Sequence, residues 1–473
     1  MKHDYKKIGL KSGLEIHQQL DTHKLFCSCP SILRQDNPEY EIHRTLNPVV
    51  GETGIVDQAV KHEAAQNKNF TYQVYDTNCL VELDEEPPHA INQEALKIAL
   101  QIAHLLNCKI FPTTQIMRKT VTDGSNTSGF QRTALIAYDG YIKISSKKKI
   151  TIDYLMLEED SARKAPNSTS TYKLDRLGIP LVEIATGPHM NTPEEIKEAA
   201  LKLGEILRAC KVKRGLGTIR QDVNISIKGS KRVEIKGFQD TKMMIKTIDK
   251  EISRQQECVE KNTCKNEVRK ANPDATSSFL RPMPGAARMY PETDHPILKI
   301  SRELINETKK NLPKLQSENS SYLKEFGLND ELIKLILKRN KVEEFKILAK
   351  TSQNHDLIAK SLTIFPKEIA KKENKSLIEI EKILNPHALE AILEQVDKKI
   401  ASNDVKLVLQ KIAKGIPLKE ALEKSDIDLQ SETEAIIKQK PGLSQGAYMG
   451  LLMGKFKGQV SGKEIADILK KLL

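Results

Sequence analysis

Two hydrophobic periods divide this chain. Up to about residue 295, short apolar segments alternate with polar residues and are punctuated by Gly and Pro, which predicts strands. Beyond His295 apolar positions recur three and four apart in Lys- and Glu-rich stretches, which predicts helices. In GLEIHQQL, residues 13–20, a strand sets Glu15, His17 and Gln19 on one face and Leu14 and Ile16 on the other. In GTIRQDVNISIK, Arg220, Asp222 and Asn224 share a face opposite Ile219, Val223 and Ile225, and the next strand sets Glu234 and Lys236 against Val233 and Ile235. Gly229-Ser230 between these two strands, and Asp139-Gly140 between ALIAY and YIKIS, suit tight hairpin turns. A helix should open at Thr192, which can cap it. Pro193 suits the first turn, Glu194 and Glu195 complement the dipole, and an apolar stripe follows through Ile196, Ala199, Leu203 and Leu207. Leu332, Leu335 and Ile336, then Leu389, Ile392, Leu393 and Val396, mark the helical half, in which Asn385-Pro386 opens a helix. No internal repeat is visible. The expected fold class is α+β: a sheet-rich domain over 1–295, a helical domain over 296–384 and a helical tail over 385–473.

Composition narrows the function classes. The 473 residues are enough for two or three domains, and a net charge of +12 with a pI near 9.1 fits a polyanionic partner such as RNA, or simply a well-solvated surface. No apolar run approaches the roughly 20 residues a membrane span needs. The start MKHDYKKIGLKSG lacks an apolar signal core, so a cytoplasmic protein without a membrane role is expected. Seven cysteines at irregular spacing make no disulfide framework and are expected to be reduced. Cys27 and Cys29 form a close pair, but the next thiols, Cys79 and Cys108, stand alone, so no zinc site is expected.

Candidate chemistry lies in acids at unusual places. ITIDYLMLEED carries an apolar strand straight into Glu158, Glu159 and Asp160, with Arg163 and Lys164 close behind. Three adjacent acids repel and invite a cation, although solvated acids at a strand end would also fit. Glu183 interrupts the apolar run from Ile179 to Ala185, a costly position unless it is paired or binds metal. The Arg220–Lys236 hairpin offers either a surface charge ladder or the floor of a phosphate-binding cleft, and on face and charge Arg220 and Lys236 are expected to contact phosphate or an acceptor end. TVTDGSNTSGFQRTALIA holds a loop of small residues that can approach phosphates or merely turn the chain. Neither a P-loop nor a dinucleotide fingerprint occurs in the chain.

Read in order with LVELDEEPPHAIN and FLRPMPGAARMYPETDHP, these segments closely resemble the GatB/GatE family of tRNA-dependent amidotransferases, over nearly the whole chain. GLEIHQQL and NTSGFQRTALIA look like its E-type members. The resemblance implies a catalytic cradle, a helical domain and a tail that touches the tRNA body. It implies ATP as co-substrate with Mg²⁺, and transfer of the γ-phosphoryl group to the glutamate carboxylate of Glu-tRNA(Gln) followed by attack of ammonia. It implies an asparaginase-type glutaminase partner (GatD) in an α2β2 heterotetramer. Matched motif by motif, the metal and catalytic centre falls on His17, Glu159 and Glu183, with Glu15, Glu158 and Asp222 as metal-site neighbours. His17 must be neutral to bind metal, so activity should fall below pH ~6.5. In the tail, Lys455 and Lys457 are expected on tRNA phosphates, while Gly446, Gly450 and Gly454, four apart, suit either RNA contact or close helix packing. One departure stands out: about 40 residues separate VEIKGFQD from the FLRPMPGAARMYPETDHP segment, so an inserted domain resembling part of aspartyl-tRNA synthetase, usual in E-type members, is missing. A B-type subunit, with a different glutaminase and a small third subunit, a non-catalytic tRNA scaffold and a stand-alone ligase remain open on these residues.

Overall fold

The structure, a computed structural model, describes residues 3–52, 54–66, 68–238, 241–285, 288–396, 398–422, 429–456 and 462–473. The chain forms two units, Met1–Lys314 and Leu315–Leu473. The first is built on an eleven-stranded sheet. Its strand order is Ser277–Pro282, Glu267–Ala271, Val233–Phe238, Ile219–Ser226, Lys11–Gln19, Pro180–Thr186, Lys149–Glu159, Phe130–Lys143, Ile116–Thr120 and Met289–Pro291, with Lys109–Ile110 alongside the 130–143 strand. Neighbours along this path are antiparallel except the 233–238 and 267–271 strands. A parallel pair needs a long crossover, and the helix Thr241–Glu260 supplies it.

Leu14 and Ile16, at 1% and 0% exposure, lie on the covered face, where each apolar side chain contributes about 1.5–3 kcal/mol of burial. The helix Pro193–Ala209 packs against this strand with Ile196, Ala199, Leu203 and Leu207 all buried. Thr192 caps it, its hydroxyl accepting from Glu195 N at 3.2 Å. The opposite face keeps its polar residues. Strand 11–19 lies between strands 180–186 and 219–226, and its register sets His17 opposite Glu183 on one side and Arg220 on the other, with Glu15 opposite Asp222. A one-residue slip would turn all of them to the other face.

The hairpin at Gly229-Ser230 forms, with Gly229 at φ +85 and Ile225 paired with Val233. The one predicted at Asp139-Gly140 does not. The strand runs on to Lys143, and the chain reverses at 144–148, where Lys148 O accepts from Ile144 N. Gly140 serves a close approach instead: a Cβ there would sit 2.7 Å from Leu106 O and collide with Cys108 Sγ. Gly140→Val should therefore cost roughly 1–3 kcal/mol or more in urea unfolding. A variant as stable as the parent would show that the contact is not tight.

The cysteines need one correction. Cys258 and Cys264 are joined by a disulfide, where reduced thiols were expected throughout. The 241–260 helix ends here, Asn262 adopts φ +49, and Thr263 N donates to Cys258 O, so the chain folds back over six residues and brings the two sulfurs together.

The second unit is helical. One core gathers residues from Leu323 to Ala421, among them Leu332, Ile336, Leu389, Ile392 and Leu393, with Leu335 packed against it; a second core runs from Leu429 to Leu469. Asn385 caps the helix Pro386–Leu393. On the helix Gln445–Lys455, nothing lies within 4 Å of where a Cβ would stand on Gly446, Gly450 or Gly454, so close helix packing does not use that face among the described residues. No helix of the described residues is long and apolar enough to cross a membrane.

Candidate functional site

The polar face of the sheet floors a cavity of about 810 Å³, lined by Glu15, His17, Glu158, Glu183 and Asp222 together with Lys119. Five strands deliver these acids, the imidazole and the lysine: 11–19, 149–159, 180–186, 219–226 and 116–120. His17 is the hub. Its Nε2 lies 3.3 Å from Glu183 Oε2 and 3.6 Å from Glu15 Oε1, while its buried Nδ1 has no partner. Lys119 Nζ donates to Glu158 Oε2 at 2.5 Å and to Glu183 Oε2 at 3.2 Å. Tyr154 OH donates to the other Glu183 oxygen at 3.1 Å, and Gln131 Nε2 to Glu158 Oε1 at 2.9 Å.

Charge coupling follows from this packing. Burial alone would raise the Glu183 carboxyl, but the Lys119 and His17 charges outweigh it and hold it well below the usual carboxylate range. Burial together with neighbouring Glu183 pushes Glu15 up to about 7. Burial opposes charge on His17, yet Glu183, Glu15 and Glu158 win and raise it above its ordinary value. Glu15, His17 and Asp222 form one group of donors within 4.8 Å of each other, and His17, Glu158 and Glu183 a second. Carboxylate oxygens grouped with one imidazole, whose Nδ1 has no partner among the described residues, fit a small hard cation such as Mg²⁺ or Mn²⁺.

Of the residues expected from sequence, the fold thus brings together His17, Glu183, Glu15, Glu158 and Asp222. It does not bring Glu159 to them. Adjacent strand residues point to opposite faces, and Glu159 faces Arg132, whose Nη1 lies 3.6 Å from its Oε1 and whose backbone N donates to its Oε2 at 3.2 Å. Arg132 also binds Glu292, from the PETD stretch, at 2.8 Å. Arg220 and Lys236 line the cavity but are engaged by acids: Arg220 by Asp160 at 3.0 Å, Lys236 by Asp222 at 2.8 Å and Glu234 at 2.5 Å. Lys455 pairs with Glu432 at 2.5 Å on the surface of the second unit, and Lys457 lies outside the described residues. Lys119 was missed because a lone lysine in MRKTVTD looks like any solvated one; only tertiary packing carries it to 7% exposure between two acids.

Away from the cavity, Cys27, Cys29, Cys79 and Glu82 lie within 4.8 Å of one another. Cys79 and Glu82 come from a turn some fifty residues later, so sequence spacing hides their proximity to the first pair. Lys24, fully buried, already donates to Glu82 Oε1 at 2.5 Å.

A sheet whose one face is covered by helices and whose other carries buried, mutually coupled acids around an imidazole is built as a catalytic domain. The GatB/GatE catalytic domain matches residues 10–306. Over their full lengths the chain is 37% identical to a protein of Methanocaldococcus jannaschii described as the E subunit of glutamyl-tRNA(Gln) amidotransferase, covering 100% of each. It is 34% identical to the protein so described from Methanococcus vannielii, covering 100% of this chain and 99% of the other, and 33% identical to that of Archaeoglobus fulgidus, covering 99% of each. The chain belongs to the GatB/GatE family. The comparison with the first of these proteins runs over 633 aligned positions, 160 more than the 473 residues here, a difference of domain size in keeping with a missing insertion.

Proposed function

We propose that this chain is the E-type, tRNA-binding and phosphoryl-transferring subunit of a glutamyl-tRNA(Gln) amidotransferase. The observation that carries this reading is the buried cluster of His17 with Glu15, Glu158, Glu183 and Asp222 at the floor of a cavity, in a chain alignable end to end with proteins of that description. A carboxylate is a poor electrophile until one of its oxygens becomes a leaving group. The glutamate carboxylate oxygen of Glu-tRNA(Gln) bonds to the γ-phosphorus of ATP and ADP departs. Ammonia then attacks the acyl carbon and phosphate leaves with that oxygen, giving Gln-tRNA(Gln).

His17, Glu158 and Glu183, with Glu15 and Asp222 beside them, are the residues that would hold Mg²⁺. Bound there, the ion neutralises phosphate charge. Tyr154 and Lys119 fix the Glu183 oxygens, and Gln131 and Thr133 those of Glu158, so the acids are pre-aligned rather than recruited. Glu15, with its carboxyl near 7, is suited to take the proton released as ammonia adds. Ammonia reaches the site from a glutaminase of the asparaginase type, in an α2β2 assembly.

Two outcomes test this. With Glu-tRNA(Gln), ATP and hydroxylamine in place of ammonia, the chain should form the γ-hydroxamate of the glutamate side chain and release ADP in equal amounts; ADP release that does not depend on Glu-tRNA(Gln) would contradict phosphoryl transfer to the substrate. Because its neighbours raise His17, a proton competes with metal already above the ordinary histidine range of about 6.5. Mn²⁺ affinity, followed by electron paramagnetic resonance, should therefore fall as pH is lowered, beginning above pH ~6.5. An affinity that stays flat down to pH 6 would remove His17 from the donor set.

A further inference from the structure

Most arginines around the cavity are engaged, and Arg232 on its lining donates to Met283 Sδ at 3.0 Å. Arg118, Arg132, Arg163, Arg176, Arg220, Arg254 and Arg269 each pair with a carboxylate. Arg281 and Arg288 also line the cavity, both are half-buried, and the side chain of neither forms an ion pair or hydrogen bond with any described residue. Both also line a smaller adjoining cavity beside Thr120–Asp123, at the start of the Gly/Ser loop. Arg288 lies near enough to Lys119 for the two charges to oppose each other. A guanidinium without an ion pair beside another cation, over a floor where Glu183 and Asp222 are taken by Lys119, His17 and Lys236, is free to take an anion from a ligand.

The 282–285 stretch that follows Arg281 is held in place. Asp57, 4% exposed, accepts from Gly285 N at 2.7 Å with one oxygen and from Ala59 N at 2.9 Å with the other, which ties the 282–285 stretch to the start of the helix Gln58–Ala64. Arg281 is anchored separately, at the end of the edge strand Ser277–Pro282, where it pairs with Val268.

Building on the function proposed above, we propose that Arg281 and Arg288 form the phosphate subsite of the cavity, taking phosphate oxygens in the cavity that the His17 cluster also lines, the role sequence patterning gives to Arg220 and Lys236. The phosphate belongs either to the nucleoside triphosphate or to the acceptor end of the tRNA. Each forked guanidinium can bind a phosphate oxyanion bidentately, and the two line the same pair of cavities.

The test uses the full chain with R281Q, R288Q and R288K. Neither arginine side chain has a partner to lose among the described residues, so thermal unfolding should match the parent, and that measurement separates a binding defect from misfolding. R281Q and R288Q should each weaken binding of a non-hydrolysable ATP analogue, in equilibrium dialysis, by ten-fold or more, with R288K recovering part of the loss. If instead analogue binding is unchanged, but Glu-tRNA(Gln) binding by filter retention weakens ten-fold and the slope of log affinity against log salt falls by about one, the subsite takes the tRNA phosphodiester. Wild-type affinity for both ligands in the folded variants overturns the subsite. Glu183→Gln run in parallel keeps the two readings apart: its loss of amidation beside unaffected arginine variants removes the subsite alone, and its full activity removes the catalytic reading alone.

Discussion

Glu183→Gln should lower ATP-dependent amidation of Glu-tRNA(Gln) by roughly 10²–10³-fold, the scale expected for losing one preorganised electrostatic contact to the transition state. The substitution keeps the shape of the side chain and an oxygen that can accept from Tyr154 OH, so the sheet register and the cavity should survive. What it removes is the charge that Lys119 and His17 together stabilise well below the ordinary carboxylate range. His17 then loses its nearest acid, at 3.3 Å, and the group of His17, Glu158 and Glu183 loses one anionic donor. Binding of the tRNA should be unchanged within two-fold. This pattern separates an enzyme from a tRNA scaffold, for which amidation would be absent in the parent as well. Glu159→Gln should instead act on stability, because its carboxylate faces Arg132 and the Glu292 pair rather than the cavity.

Lys119→Met should destabilise the catalytic unit by about 3–5 kcal/mol, the usual consequence of leaving buried charges without their partner. Its ammonium is the cation that holds Glu183 ionised at almost no exposure, and it pairs with buried Glu158 as well. Burial alone would lower the lysine's own pKa, but the two carboxylates more than compensate and raise it. A divalent cation can take over that neutralisation, so Mg²⁺ or Mn²⁺ should restore part of the lost stability, by roughly 2.7 kcal/mol at a concentration one hundred times its dissociation constant. The parent, which carries its own cation, should gain less. Urea unfolding with and without Mn²⁺ reads both effects. A variant as stable as the parent without metal would mean that Glu183 is not held charged by Lys119.

Much of this was legible in the chain because the site lies on strands. Period-two alternation put Glu15 and His17 on one face and Arg220 and Asp222 on one face, and antiparallel pairing then placed Glu15 opposite Asp222 and His17 opposite Glu183. The acid at Glu183 in an apolar run was a sound signal for the same reason. Glu158 and Glu159 show the limit: neighbours on a strand point to opposite faces, and without the register nothing says which of the two faces the cavity. The Asp139-Gly140 pair failed in another way. Turn chemistry is also what a strand needs where another backbone presses against it, and Leu106–Cys108 does so at Gly140. Lys119 and Tyr154 left no signal because their importance lies in what they touch across the sheet. For the same reason Cys79 looked isolated until the fold set it beside Cys27 and Cys29.

The most direct test is to incubate the purified chain with Glu-tRNA(Gln), ATP, Mg²⁺ and ammonium chloride and to follow the esterified amino acid. Conversion of glutamate to glutamine that requires ATP, proceeds without any glutaminase and falls at least about a hundred-fold in Glu183→Gln is the predicted result. Conversion by Glu183→Gln at the parent's rate, or conversion that continues without ATP, would contradict phosphoryl transfer at the His17 cluster.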